Sequence, residues 1–291
     1  MRYSASSALA LALPVALAQT FTDCDPTKKS CPDDLGLPSK HFISDFAAGN
    51  NASWSAAPYS TITYGRDGAD FSIADGKQAP TIESDFAIFF GRVEVEMKAS
   101  PGTGIVSSIV LESKDLDEID WEFLGGDTEE VQTNFYGKGN TTTYDRGGFH
   151  PVDAPQEQFH TYTIDWTSER MEWSIDGTVV RTVPYNDSIA LNGRNYPQTP
   201  MYIKLGSWCG GCSAKKGTVE WAGGKPTFGK DPFSMFVSSV KITNYNPGSR
   251  YIWTDRSGSW QSIKVAKDPS SKHPGSATVT ASASGSADAA G

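Results

Sequence analysis

From Phe86 onward the chain is written in short runs in which apolar and polar side chains take turns. Successive side chains of a β-strand point to opposite faces, so a period of two marks a strand with one face in a core. Phe86 to Met97 shows the pattern well, with Val93, Val95 and Met97 on one side and Glu94 and Glu96 on the other. Gly104 to Leu111, Ile119 to Phe123, Val131 to Tyr136, Thr161 to Trp166 and Met171 to Ile175 follow. Asp176-Gly177 is a hairpin signal before Thr178 to Val183, and Tyr202 to Leu205 and Phe236 to Tyr245 complete the set. No window of about 11–18 residues carries an amphipathic helical period, and no internal repeat is visible. Many short strands with regular turns predict an all-β fold, an antiparallel β-sandwich or jelly roll. Trp166 and Trp173 alternate within strands and are assigned to its core.

The two ends depart from this pattern. Arg2, the apolar run Ala8 to Ala18 and the small-residue site Ala16-Leu17-Ala18 read as a secretory signal peptide over residues 1–18, with Gln19 as the mature N-terminus. Its apolar core is too short to span a bilayer, and no later segment approaches the about 20 apolar residues required. Residues 19–267 suit one large β domain. Asp268 to Gly291 is Ser, Ala, Gly, Thr and Pro with almost no large apolar side chain. It is read as a disordered tail, of the kind that forms a wall-spanning stalk or leads to a GPI-anchor signal. The hydrophobic terminus of such a signal is absent, so the chain is read as truncated or unanchored.

Export gives meaning to the cysteines. Four is an even number, so two disulfides are expected. Of the three connectivities, Cys24 with Cys31 and Cys209 with Cys212 is favoured, each closing a short loop. Cys209-Gly-Gly-Cys212 has neither a second Cys pair nor a His beside it, which argues against redox or metal chemistry, and no cofactor is expected. Asn51-Ala-Ser53, Asn140-Thr-Thr142 and Asn186-Asp-Ser188 are glycosylation sequons. The net charge of −9 and the absence of a Lys/Arg block argue against nucleic acid and anionic membrane as partners. A neutral polysaccharide suits that balance, and a monomer is expected.

One strand then stands out, Asp117-Glu118-Ile119-Asp120-Trp121-Glu122-Phe123. Glu118, Asp120 and Glu122 share one face, while Ile119, Trp121 and Phe123 face a core. Three like charges in a row repel one another, so stability alone does not select them. Retaining cleavage of a glycosidic bond needs two carboxylates close to it, separated by about 5–5.5 Å. Backbones four residues apart on a strand lie about 13 Å apart, a gap that two leaning Glu side chains can narrow. Asp120 between them can hydrogen-bond a neighbour, and its charge disfavours ionisation of whichever Glu is the acid.

Asp117 to Gly125 resembles the signature of glycoside hydrolase family 16. Phe90 to Lys98, Gly104 to Ser108, Val131 to Tyr136, Asp165-Trp166 and Trp173 to Gly177 also resemble bacterial lichenases of that family, over a span of roughly Asp85 to Tyr245. The resemblance implies a concanavalin-A-like β-jelly roll whose concave sheet forms a sugar cleft. It implies Glu118 as nucleophile, Asp120 as assisting acid and Glu122 as general acid/base. It also implies that Glu94, Gln132, Asn134 and Tyr136 project into the cleft. Where lichenases carry Arg this chain has Glu96, which argues against mixed-linkage glucan as substrate. Trp208 and Trp221 are candidate stacking platforms, because an aromatic ring offers a pyranose a flat apolar face.

The spacing Glu-x-Asp-x-Glu lacks the residue that laminarinase-like members insert. With the Cys24 and Cys31 loop, Cys209-Gly-Gly-Cys212 and the Ser/Ala-rich tail, the chain looks like the fungal Crh-like branch, cell-wall transglycosylases that join chitin to β-glucan. Chitin and β-glucan chains are therefore the expected partners, at a secreted, cell-wall location. A β-glucanase or chitinase with the same site and a non-catalytic lectin on the same fold are the competing readings. A binding module has no use for a repelling acidic row.

Overall fold

The computed structural model describes residues 22–267. The expected signal peptide (1–18) and the Ser/Ala-rich tail (268–291) lie outside the described residues. The strands are β1 (Asp34–Leu35), β2 (His41–Asp45), β3 (Trp54–Ala56), β4 (Thr63–Gly65), β5 (Gly68–Ile73), β6 (Thr81–Ser84), β7 (Gly91–Lys98), β8 (Ile105–Ser113) and β9 (Glu118–Leu124). They continue as β10 (Glu130–Tyr136), β11 (Gly148–Pro151), β12 (His160–Trp166), β13 (Arg170–Ile175), β14 (Thr178–Pro184), β15 (Met201–Cys209), β16 (Phe233–Asn244), β17 (Arg250–Trp253) and β18 (Ile263–Ala266).

Two large antiparallel sheets face each other. One has the order β11-β10-β9-β8-β15-β6-β3; the other has β14-β13-β12-β7-β16-β5-β4, with β2 also paired to β16. A small sheet, β1-β17-β18, completes the fold. The antiparallel sandwich expected from the alternation is the one formed. Its core follows from that alternation: Ile109, Leu111, Ile119, Trp121 and Phe123 from the first sheet meet Val93, Val95, Met97, Tyr162 and Ile164 from the second. The Tyr162 ring lies 4.6 Å from Phe123 and 5.4 Å from Trp121, edge-on in both cases, so the layers interdigitate. Trp166 and Trp173 are fully buried, as their alternation required.

Some boundaries differ from expectation. Phe86 to Phe90 does not extend β7, because Phe90 has a φ of 56° that breaks the extended backbone. A six-residue helix, α1 (Lys216–Trp221), interrupts the all-β pattern and is too short to show a helical period. Both disulfides pair as favoured, with Cα atoms 5.8 Å apart in Cys24–Cys31 and 5.2 Å apart in Cys209–Cys212. Asn51, Asn140 and Asn186 all fall in loops between strands. No helix among the described residues is long and apolar enough to cross a membrane.

Candidate active site

Strand β9 lies in the middle of its sheet, with β8 on one side and β10 on the other. Its even positions face away from the core, so the three acids form a row on the open face. The register sets their neighbours. Tyr136, Asn134 and Gln132 of β10 stand opposite Glu118, Asp120 and Glu122, and Glu112, Val110 and Ser108 of β8 stand opposite the same three residues. Asn134 Nδ2 donates to the Tyr136 hydroxyl at 2.9 Å.

Two devices fix the row in place. From the opposite sheet, the indole N–H of Trp173 donates to the carbonyl of Asp120 at 3.1 Å. At the start of β9 the fully buried Asp117 accepts from the backbone N–H groups of Lys138 and Gln198, from the Thr199 hydroxyl and from Lys138 Nζ, at 2.8–3.2 Å. A carboxylate with that many donors ties the β8–β9 hairpin to two distant loops.

Electrostatics divide the acids. Burial pushes Glu122 up to about 8, the charge of Glu118 adds to this, and a 3.0 Å hydrogen bond from Ser108 Oγ opposes it. Burial first, then the charges of Glu118, Glu122 and Glu112, hold Asp120 well above the usual carboxylate range. Asp120 is hydrogen-bonded to Glu118, so a proton on Asp120 is donated to that neighbour. Burial, followed by the charges of Asp120 and Glu118, raises Tyr136 to about 12, so its phenol stays neutral. One carboxyl is thus kept protonated at the Glu122 end. If Glu122 must donate a proton, activity is expected to fall as pH rises through about 8. Ser108→Ala removes the opposing hydrogen bond and is expected to move that basic limb to higher pH, which the pH profile of kcat/KM will show.

The aromatic wall forms as a unit. Trp208 and Trp221 are half-buried and stack on each other, with ring centroids 6.0 Å apart and planes inclined by 24°. Trp221 Nε1 donates to Gln132 Oε1 at 2.9 Å and Trp208 Nε1 to Ser108 Oγ at 3.3 Å, so the pair joins β8, β10 and β15 at the Glu122 end of the row. Trp221 ends α1 and is not part of an irregular loop. The helix is held by a close backbone approach at Gly104, whose φ is 80° and where a Cβ would lie 2.5 Å from the Gly224 carbonyl.

Glu94 does not join this site. Its strand β7 belongs to the other sheet, where Val93, Val95 and Met97 fill the core, so Glu94 points out on the far side of the sandwich and pairs with Arg92 at 3.2 Å. Glu96 shares that far face and accepts from Ser238, so the exchange of Arg for Glu there has no bearing on what the cleft binds. The open face instead gains Ser108, Glu112, Lys204 on β15 and Glu83 on β6, none of which the sequence had singled out.

Comparison with known proteins agrees with this geometry. Residues 48–223 match the family described as Glycosyl hydrolases family 16. Over 264 residues the chain is 54% identical to Crh-like protein 5 of Aspergillus fumigatus, covering 90% of this chain and 66% of that protein. It is 50% identical over 255 residues to Crh-like protein 2 of Botryotinia fuckeliana, covering 87% of this chain and 56% of that protein. The chain therefore spans less than two thirds of the length of these curated relatives. A solved structure described as Crh5 transglycosylase in complex with NAG is similar with a TM-score of 0.81 and 55% identity, covering 84% of this chain and 100% of that one. With the facing sheets, the row of acids and the matched span in agreement, the chain belongs to glycosyl hydrolase family 16.

Proposed function

We propose that the chain is a retaining transglycosylase of cell-wall polysaccharide. It cleaves a β-1,4-linked chitin donor and passes the released end to a β-glucan or chitin acceptor. The observation that carries this reading is the division of the row, with Glu122 kept protonated while Asp120 donates its hydrogen bond to Glu118. Glu118 attacks the anomeric carbon, the glycosidic C–O bond breaks, and the Glu122 proton goes to the departing oxygen. In the second half an acceptor hydroxyl attacks the same carbon, the ester to Glu118 breaks, and the hydroxyl proton returns to Glu122. Gln132, Asn134 and Tyr136 line the row on β10 and are assigned to sugar hydroxyls. The Trp208–Trp221 wall is assigned to stacking.

The solved transglycosylase that shares 55% identity holds NAG, which supports an N-acetylated donor. Residues 1–18 as an export signal, glycans at Asn51, Asn140 and Asn186, and a wall location fit the same reading. Chitin oligomers incubated with a labelled β-glucan oligomer test it. Mass spectrometry is expected to find the label in products longer than the added glucan. Shorter unlabelled chitin alone would mean that water is the acceptor and the proposal fails.

A further inference from the structure

The Trp208–Trp221 wall and the acid Glu122 are joined by a chain of hydrogen bonds that the steps above do not use. Trp208 Nε1 donates to Ser108 Oγ at 3.3 Å, and Ser108 Oγ donates to Glu122 Oε2 at 3.0 Å. The register lets the first bond form. Trp208 of β15 stands opposite Val106 of β8, and Gly206 stands opposite Ser108. With no side chain on Gly206, the indole leans across to the hydroxyl. Just after Trp208 the Cys209–Cys212 disulfide closes a turn, which fixes the end of β15 that carries the ring. Ser108 is wholly buried, and Glu122 stands directly opposite it on β9. An indole N–H held out of water needs an acceptor, but a backbone carbonyl would serve that need. A hydroxyl that passes the bond on to the acid is a more particular choice.

The directions of these bonds follow from the groups themselves. An indole nitrogen only donates, so Ser108 must accept from Trp208 and has its one proton to give to Glu122. The oxygen that receives it, Oε2, is then the acceptor oxygen of the carboxyl. In the neutral acid the proton therefore sits on Oε1, the oxygen that Ser108 leaves open. We propose that Trp208 is a positioning residue for the acid as well as part of the wall. It holds the Ser108 hydroxyl so that the transferable proton of Glu122 stays on Oε1. This rests on the reading of Glu122 as acid/base. In the first half the proton leaves Oε1 for the glycosidic oxygen as the C–O bond breaks. In the second half Oε2 is still occupied by Ser108, so the proton of the acceptor hydroxyl returns to Oε1. One oxygen serves both halves, and the carboxyl need not turn between them. Without the indole N–H, the Ser108 hydroxyl is free to rotate and to accept from the carboxyl. The proton is then held on Oε2, bonded to Ser108 instead of facing the leaving oxygen.

Trp208→Phe keeps an aromatic face and removes the N–H. With chitin oligomers it is expected to lower kcat by about tenfold with little change in KM, a part of what a general acid supplies. An aryl glycoside with an acidic phenol loses its leaving group without a proton. There the loss, read in the rate of the phenol burst, is expected to shrink to about twofold or less. In a Ser108→Ala background, Trp208→Phe is expected to add no more than about twofold to the loss with chitin oligomers, because the indole acts through that hydroxyl. A loss of equal size with both leaving groups, a loss carried by KM, or losses that multiply in the double variant overturn the proposal. Should Trp208→Phe fail to fold, benzothienylalanine in place of Trp208, which keeps the fused ring and lacks the N–H, enters the same assays. Glu122→Gln, measured beside them, separates the two levels. Equal loss with both leaving groups there refutes Glu122 as the acid, whatever the Trp208 variants show.

Discussion

Glu118→Gln is expected to lower transfer by on the order of 10⁴-fold or more, with unchanged thermal unfolding or a small gain. The amide is isosteric and neutral, and it relieves repulsion in a row where Glu112, Asp120 and Glu122 already crowd. Glu122→Gln is expected to be as damaging with natural oligosaccharides, whose leaving oxygen needs a proton. An aryl glycoside with an acidic phenol as leaving group separates the two roles. Such a group departs without a proton, so the Glu122 variant is expected to give a burst of phenol equal to the enzyme concentration, and the Glu118 variant none. A burst from the Glu118 variant, or equal loss of the burst in both, would mean that the roles have been assigned to the wrong carboxylates.

Trp173→Ala is expected to have the largest effect on the fold. The ring is fully buried between the sheets, and Arg181 lies with its guanidinium carbon 5.0 Å from the ring centroid. Truncation leaves a cavity costing about 3–5 kcal/mol, which for a domain of this size lowers Tm by roughly 10 °C. Trp173→Phe is the more informative partner. It refills most of the space but cannot donate to the Asp120 carbonyl, at a cost of about 1 kcal/mol. Its activity is expected to fall further than its stability, because the strand under Asp120 has lost the bond that sets its height. If activity and Tm decline in proportion across the two variants, the indole hydrogen bond is no more than packing.

The row of acids was legible because period-two alternation is a local code. Once the strand is recognised, Glu118, Asp120 and Glu122 must share a face, and the disulfide pairing was legible for the same local reason. The error at Glu94 marks the limit of that code. Alternation tells which side of its own strand a residue occupies, but not which of two sheets the strand joins. Glu94 and Glu96 alternate as regularly as the acids of β9 and face the opposite way out of the sandwich. Glu83 was missed because β6 has four residues, too few for a periodic signal. Glu112 was hidden differently. All nine residues of β8 are buried, so the strand is covered on both faces and its burial does not alternate. That Glu112 meets Lys204 depends on the register between β8 and β15, two strands separated by about 90 positions, and a one-residue slip would turn every side chain over. Helix α1, which carries Trp221 to the Glu122 end of the row, was not foreseen because it is too short to leave a pattern.

Helix α1 contains no buried residue and is joined to the body by the Trp221 side chain, through Gln132 and Trp208, and by backbone bonds that include Gly104 N–H to the Ala222 carbonyl at 3.0 Å. Strand β9 is paired along both edges and strapped from behind by Trp173. Local opening therefore has very different free energies at the two places. Moving the helix breaks the Trp221 contacts and a few backbone bonds, whereas moving the acids requires opening the sandwich itself. On the proposed function, this partition lets the cleft wall give way to an entering polymer chain before the acids lose their spacing.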